Sequence, residues 1–418
     1  MHQTKAKRIL LTAGRSNITL DLARKLHHAG HQVYVTDTTK LHICYFSKAV
    51  CKTFLVPIPR FEPGEYVEKL IEIVTQEKID LLIPIYEEIM YISKAIHLFP
   101  DTCKVFCSSF DVLNHLHNKW LFYKTLCSLQ IETPRTYLIQ SQEDLEKIDL
   151  SVPYALKASY SRASLSLIKL APGRELPSVN VDKSNPWIAQ EWIDGNRYCS
   201  YSICQDGQVL AHALYPVRFA LDGNSCITFK SMNHPGIFEW ITNLVKQLQF
   251  TGQIAFDFIE NKDQQLYAIE CNPRATSGIH LFSLFDRMEK AFFEHIPSTI
   301  FPEDNRNVQI ATGMCLYGWK RSSYPNNTLL KFLKELFSTP DVVFDRGDLK
   351  PFLSQPLVFS GIWKNSLKYG ISIPAAFTFD HEWNGEHDIV ISDPTTVSSN
   401  APQIVQSIDT LSVGQSSE

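Results

Sequence analysis

The 418-residue sequence contains no CxxC pair, no GxGxxG run, no long apolar stretch and no surplus of basic residues. Each absence removes a class. Cys103–Cys107 and Cys199–Cys204 have neither zinc-ligand spacing nor a histidine partner at finger-like distance, which argues against a structural zinc module. Ten cysteines are too few for a disulfide-stapled scaffold of this length. They are expected to be buried or partly buried free thiols in a reducing compartment. With no apolar run of about 18 residues, a membrane span is not expected. The stretch Ile9–Gly14 is too short for a signal-peptide core and reads as a strand entering a glycine turn, so residence in the cytoplasm is expected. Forty Lys+Arg against 44 Asp+Glu leave a formal charge of −4. That balance argues against a nucleic-acid or membrane-surface binder and leaves room for a local positive pocket.

What is present is a globular composition, 44% apolar and 11% aromatic. The length suits roughly two to four domains. Residues 8–110 alternate strand-like and helix-like stretches. "RILLTAG" precedes "NITLDLARKLHHAG", whose Leu20, Ala23, Leu26 and His27 share a helical face before Gly30. "HQVYVTD", the helical "GEYVEKLIEIVTQEK", the apolar "IDLLIPIY" and "KVFCSS" follow. A continuously apolar strand is one covered on both faces, so a Rossmann-like three-layer α/β domain with a mostly parallel sheet is expected. Its first turn, Ala13-Gly14-Arg15-Ser16-Asn17, is no dinucleotide fingerprint, and Asp37 reads as a strand-end cap more readily than as a ribose ligand. His27, His28 and His31 read as a helix terminus rather than a metal site.

Further along, "VLNHLHNKWLFYKTLCSLQI" is helical, and "YALKASYSRASLSLIKL" holds two strands around a serine-rich turn. Residues 187–217 read as several short strands with a hairpin turn at Asp206-Gly207. Residues 237–249 form an amphipathic helix with Ile237, Trp240, Ile241, Leu244 and Leu248 on one side. After "FPEDNRN", residues 308–390 combine strand-like "VQIATGMCLYGW", helical "NTLLKFLKELFS" and a remainder broken by Pro and Gly. The Ser/Thr-rich end is expected to be a flexible tail.

The most informative stretch is "TGQIAFDFIENKDQQLYAIECNPRATSG", residues 251–278, a β-hairpin. With Asp263-Gln264 as a two-residue loop, Asp257 faces Glu270. Directly opposed like charges destabilise a sheet pair, and an uncompensated carboxylate among apolar residues is costly. A cation relieves both problems. Asn272, two residues on, adds an amide oxygen, and three hard oxygens suit Mg²⁺ or Mn²⁺ arriving with phosphates. Arg274 would complement phosphate charge. The alternative is an ordinary solvent-facing acidic side, with Phe256, Phe258, Tyr267 and Ile269 forming the buried face in either case.

The segment "AFDFIENKDQQLYAIECNPR" resembles the metal-binding segment of the ATP-grasp superfamily, especially its biotin carboxylase and carbamoyl-phosphate synthase branch. The resemblance implies Asp257 and Glu270 as metal ligands, Asn272 as a metal and phosphate ligand, and Arg274 as the group stabilising phosphoryl transfer. Asp257 stands where the biotin carboxylase branch usually has Glu. Three further segments resemble the family in the same order. "NKWLFYKTLCSLQIETPRTY" implies Lys119 as a phosphate contact, and "YALKAS" implies Lys157 reaching the nucleotide phosphates. "WIAQEWIDGNRYCS" implies the Glu191 carbonyl and the Ile193 N–H as adenine contacts. Taken alone, Lys119 reads as a solvated helix lysine, and Lys157 as either a buried ammonium needing an anion or an edge-strand residue. One departure stands out: the loop "SYSRASLS", residues 159–166, has no glycine where the family covers the phosphates with glycine backbone. Its serines and Arg162 would supply the donors instead.

The implied architecture is α/β, with α+β in the catalytic part. A pre-ATP-grasp domain (1–111) precedes a two-lobed ATP-grasp domain (112–300, lobes about 112–195 and 196–300). A C-terminal α+β region (301–390) completes the acceptor site, and residues 391–418 form the tail. The implied activity is ATP- and Mg²⁺-dependent: a carboxylate is activated as an acyl phosphate and joined to an amine. Alternatives are a phosphotransferase or acyl-phosphate-forming enzyme with a non-amine acceptor, and an inactive ATP-binding regulatory module. Partners are then small-molecule carboxylates and amines, with no nucleic acid and no membrane span. The resemblance also allows a homodimer. Candidate acceptor contacts are Thr276, Ser277, His280, Arg218 and the run Tyr86-Glu87-Glu88, each with a structural role as the alternative. No biotin-attachment or glutamine-amidotransferase segment is visible.

Overall fold

The computed structural model describes residues 6–162, 167–179, 181–182, 184–221, 225–318 and 329–385. Residues 163–166 of the glycine-free loop and the expected tail lie outside these.

The first unit is a parallel sheet of β1 (Arg8–Leu11), β2 (Gln32–Asp37), β3 (Lys52–Leu55), β4 (Leu81–Ile83) and β5 (Lys104–Val105), ordered β3-β2-β1-β4-β5. Helices α1 (Asn17–His28), α2 (Pro63–Gln76) and α3 (Glu88–Lys94) connect the strands. Side chains alternate across a strand, so each strand feeds two cores. Ile9, Leu11, Val33, Val35, Leu81 and Ile83 pack on the α1 side with Leu20, Ala23 and Leu26. Leu10, Tyr34 and Leu82 pack on the α2 side with Tyr66, Val67, Leu70 and Val74. The expected Rossmann-like three-layer domain is thus present. Strand β3 was not anticipated, because none of its four residues is buried and the edge strand carries no apolar signal.

The single helical run expected from residue 112 is broken into α4 (Phe110–His117) and α5 (Lys119–Ser128). Asn118 makes the break, its side-chain oxygen accepting the Trp120 and Leu121 N–H groups. The cap sets Lys119 at the first residue of α5. An antiparallel sheet follows, from β6 (Thr136–Ile139), then a short helix α6 (Gln142–Glu146), β7 (Tyr154–Ala158), β8 (Ile168–Leu170) and β9 (Trp187–Glu191), ordered β6-β9-β7-β8.

β10 (Asn196–Gln205) and β11 (Gln208–Pro216) are longer than the short strands expected. They turn at Asp206-Gly207 with φ values of 47° and 77°, as a type I′ hairpin requires. After β12 (Ala220–Leu221), β13 (Ser225–Cys226), β14 (Thr228–Lys230) and α7 (Pro235–Gln247) come β15 (Gly252–Glu260) and β16 (Leu266–Asn272). These complete the sheet β11-β10-β15-β16, covered by Ile237, Ile241, Leu244 and Val245 of α7.

The C-terminal part departs most from expectation. Among the described residues of "VQIATGMCLYGW" only Val308 and Gln309 are strand, the end of β17 (Asn307–Gln309), which pairs with β14; α8 (Ala311–Gly313) and a π-helical turn, Met314–Gly318, follow. The helix α9 (Leu329–Ser338) is as expected. The Pro-broken remainder contains a 20-residue helix, α10 (Lys350–Tyr369), with Pro356 inside it. Proline has no N–H for the Phe352 carbonyl. The Gln355 side-chain amide donates to that carbonyl instead, at 3.3 Å. After α11 (Ile373–Ala376) the chain returns to the first unit. Asp380 pairs with Arg15, His381 lies 3.2 Å from Glu88, and Trp383 is fully buried against Tyr91 and Phe110.

All ten cysteines are free, but Cys51, Cys127 and Cys315 are exposed rather than buried. Among the described residues no helix is long and apolar enough to cross a membrane.

Gly195, between β9 and β10, sits against the end of β15: a Cβ there would lie 2.0 Å from the Glu260 carbonyl oxygen. Gly195→Ala must therefore push the connection off the sheet. We expect a loss of about 1–3 kcal/mol, read as a lower urea midpoint; an unchanged midpoint would show that the connection shifts freely.

Candidate active site

The site is built on the β15–β16 hairpin, and its register rests on an irregularity. The loop is not the two-residue turn expected. Asn261 and Gln265 close it, with the Asn261 side-chain oxygen accepting the Asp263 and Gln265 N–H groups. Pairing next to the loop runs Glu260↔Leu266, Ile259↔Tyr267 and Phe258↔Ala268. That register alone would set Asp257 against Ile269. A β-bulge leaves Ile269 unpaired, and beyond it the pairs are Asp257↔Glu270, Phe256↔Cys271 and Ala255↔Asn272. Asp257 faces Glu270, as expected, for a different reason. The bulge also corrects the faces. Ala268 and Cys271 join Phe256 and Phe258 in the core, whereas Tyr267 and Ile269 are only half-buried.

The carboxylates and ammonium groups converge here. Lys119 Nζ donates to the Ser161 carbonyl at 2.8 Å and lies 3.4 Å from Glu270 Oε1. Lys157 Nζ donates to Gln190 Oε1 at 3.0 Å and, at 3.3 Å, to the carbonyl of the bulged Ile269. Burial, reinforced by the Glu270 charge, pushes the Asp257 carboxyl up to about 6. Burial also opposes ionisation of Glu270, but Lys119 and Lys157 outweigh it and hold that carboxyl below its ordinary value. Burial draws the Lys157 ammonium down to about 8 against the pull of Glu270.

These environments test the fit of a cation and a polyanion. Glu270 has Lys119 as a counter-charge, while Asp257 is the carboxylate that a divalent cation would relieve. Lys157 is buried, and both its hydrogen-bond partners are neutral, so it has the capacity to receive an anion. The Ser159 hydroxyl and Arg274 Nε are buried without a partner among the described residues. Among the described residues no group of three or more His, Cys, Asp or Glu side chains is arranged to hold a metal ion by itself. The candidate oxygen set is two carboxylates and the Asn272 amide, few enough ligands to suit Mg²⁺ arriving with phosphates. The Asn272 oxygen accepts from Arg274 at 3.2 Å. At the β9 end, the Glu191 N–H is taken by the Arg135 carbonyl, while the Ile193 N–H has no hydrogen-bond partner among the described residues.

Arg162 is turned away from the expected phosphate side. Its guanidinium engages both Glu87 oxygens, the Trp383 carbonyl and Asn384 Oδ1. A guanidinium with its donors so engaged is not available to cover phosphates. Glu87 is 4% exposed and also accepts the Trp383 N–H at 3.0 Å. It lies 3.6 Å from Arg274 and 3.5 Å from His117 Nε2. Despite the opposing effect of burial, Arg162 holds the Glu87 carboxyl well below the usual range. Of the run Tyr86-Glu87-Glu88, Glu87 thus reaches the other lobe. Glu88 has the capping role, accepting from the Thr12 hydroxyl and the Ile85 and Tyr86 N–H groups.

The other acceptor candidates divide similarly. His280 is buried and holds Asp21 at 2.8 Å, and Arg218 lies 3.3 Å from Glu335. Ser277 opens a 3₁₀ turn, and the Thr276 hydroxyl is buried without a partner among the described residues. Asp37 is bound by Arg15. Sequence reasoning missed His117 and the segment Asp380–Asn384, which no local pattern ties to the hairpin.

The family model described as an ATP-grasp domain matches residues 116–278, bearing out the resemblance carried by the hairpin and the segments before it. No curated protein matches the chain. Among solved structures, N5-carboxyaminoimidazole synthetase from Staphylococcus aureus is similar at TM-score 0.57 and 12% identity, over 75% of this chain and 85% of its own. Biotin carboxylase from Campylobacter jejuni is similar at 0.55 and 14%, over 72% and 74% of the two chains. L-amino acid ligase from Bacillus licheniformis is similar at 0.51 and 15%, over 66% and 68%. At such identities these likenesses show the fold.

Because Asp257 has its pKa raised in the folded chain, the native state keeps a proton that the unfolded state releases near 3.8. The associated stability is present below that value and is lost as pH rises through about 6. In metal-free protein, thermal stability relative to Asp257→Asn should fall across this window by at most about 3 kcal/mol, and Mg²⁺ should restore part of it. Parallel pH profiles of the two proteins would contradict the assignment.

Proposed function

We propose that the chain is an ATP-dependent ligase that activates a carboxylate as an acyl phosphate and joins it to an amine. The observation that carries this reading is the bulged hairpin. One short segment supplies two opposed carboxylates, an amide and an arginine, with Lys119 and Lys157 brought over them. The names of the three similar enzymes support it, each being a synthetase, carboxylase or ligase. In this reading Asp257, Glu270 and Asn272 hold Mg²⁺ or Mn²⁺. The bound ion supplies charge neutralisation on phosphate oxygens.

The rest of the work falls to the chain. Lys119 and Lys157 hold the nucleotide phosphates, and Lys157 keeps enough protonation near neutral pH to act as a charge there. The Glu191 carbonyl and Ile193 N–H take the adenine edge. Arg274 neutralises the phosphoryl group in transfer, its direction set by Asn272 and Glu87. Arg162 orders the junction with Glu87 rather than the phosphate lid. No thiol nucleophile is required, and Cys271 is buried on the other face. The substrates are a small-molecule carboxylate and an amine. The reading includes cytoplasmic residence and the division into 1–111, 112–300 and 301–390. A second reading, nucleotide binding without turnover, is favoured by the engagement of Arg162 and the absence of glycine from 159–166.

The test is to incubate the protein with ATP, Mg²⁺ and a cell metabolite extract and to identify new products by mass. An amide formed with ADP supports the ligase; Mg²⁺-dependent ATP binding without ADP release supports the second reading. Asp257→Ala and Glu270→Ala should each lower turnover about a hundredfold or more with the fold retained. Full activity in the double substitution would overturn the site. Lys157→Ala should weaken ATP binding about tenfold, the loss of one charge-assisted contact.

A further inference from the structure

Among the described residues, helix α10 leaves one face uncovered. Pro351, Val358, Ile362 and Ser366 are buried on one side. On the opposite side Leu349, Leu353, Leu357 and Leu367 are 43%, 71%, 49% and 64% exposed, and Trp363 is 51% exposed. At 3.6 residues per turn these five fall on one stripe. A single exposed leucine needs no explanation, but a continuous apolar stripe does. Lys350, Lys364 and Lys368 stand exposed along it, and α10 contains no acidic residue. Gly361 also lies on this side, with open space where a Cβ would stand, so another backbone has room to approach.

The chain carries a segment of complementary character. Residues 386–418 contain Glu386, Asp388, Asp393, Asp409 and Glu418 and no Lys or Arg. Within them Ile404, Val405, Ile408 and Leu411 recur at helical spacing, Pro402 stands where a first turn accepts proline, and Gly414 stands where a helix ends. A helix of about a dozen residues is marginal alone in water and gains its stability by covering an apolar face. We propose that residues 402–413 dock as an amphipathic helix along the exposed stripe of α10, with Asp409 among its lysines.

The reach is sufficient. The Tyr369 ring at the end of α10 is 4.9 Å from that of Phe379, only six residues before Gly385. Residues 386–401 can extend about 50 Å, against about 30 Å for the whole of α10. Docking would tether from both ends the segment Asp380–Asn384, which engages Arg15, Glu88 and Arg162.

Hydrogen–deuterium exchange on the full chain tests this. Amides of 402–413 should exchange about tenfold or more slowly than those of 391–399. The difference should vanish in Leu353→Glu/Leu357→Glu and shrink at high salt. Ile408→Glu should abolish it equally while leaving α10 untouched, which separates loss of docking from damage to the helix. Absence of protection in the wild type, or protection surviving both variants, overturns the proposal. So does a dimer in light scattering that is lost in the α10 variant but kept in Ile408→Glu, since a second copy then occupies the face. Co-sedimentation with phosphatidylserine-containing vesicles that is lost in the α10 variant and kept in Ile408→Glu also overturns it.

Discussion

The buried carboxylate of Glu87 is the point at which the separate parts of this chain are obliged to meet. An ionised group at that depth is tolerated only with counter-charge and full hydrogen bonding, and stripping one partner from a buried pair costs about 3–5 kcal/mol. The partners come from three places: Arg162 after β7, Arg274 after β16, and the backbone of Trp383 near the end of the described chain. His117, just before the α4–α5 break, lies beside them, and burial lowers its pKa against the pull of Glu87. A parallel sheet, an antiparallel lobe, a hairpin and a returning C-terminal segment are thereby held to one point. Arg274, the candidate for meeting the phosphoryl group, is oriented by the same carboxylate.

The hairpin is where a local irregularity sets chemistry. Without the bulge at Ile269, Glu270 would lie one register away from Asp257. With it, two like charges face each other, and the freed Ile269 carbonyl becomes a partner for Lys157. Opposed carboxylates are a poor way to stabilise a sheet, which is why the arrangement makes more sense as a receptor for positive charge than as framework. Lys119 and Lys157 lie on the other side of the same problem, ammonium groups drawn out of water and held near carboxylates. The positive and negative groups are kept in proximity without full mutual neutralisation, and the proposed binding of a metal–polyphosphate complex rests on that imbalance.

Much of this was legible in the sequence because it rests on short-range periodicity. The apolar runs of β1, β2 and β4 and the 3.6-residue spacing in α1, α2 and α7 mark the layers. The type I′ turn at Asp206-Gly207 follows from the residues themselves, and Asp257, Glu270, Asn272 and Arg274 lie within one hairpin. Other features had weak or misleading local signals. The edge strand β3 has no buried residue, and the Asn118 cap divides what reads as one amphipathic run. Pro356 sits inside α10, where a proline rule applied locally would end the helix, and the Gln355 side chain donates to the carbonyl that the proline leaves without an N–H.

The amino-acid order by itself determined the layered α/β domain, the hairpin and the identity of its four polar residues. These depend on alternation and on neighbours a few positions away. It also determined that Lys119 precedes Lys157, which precedes the hairpin. Only the tertiary structure decided that a bulge would align the acids and that Arg162 would turn to Glu87 instead of the phosphate side. It also decided that residues near 383 would close the junction begun at residue 87. The physical reason is that a buried charge selects its partner by desolvation and distance in three dimensions, and neither is written in the spacing of residues along the chain.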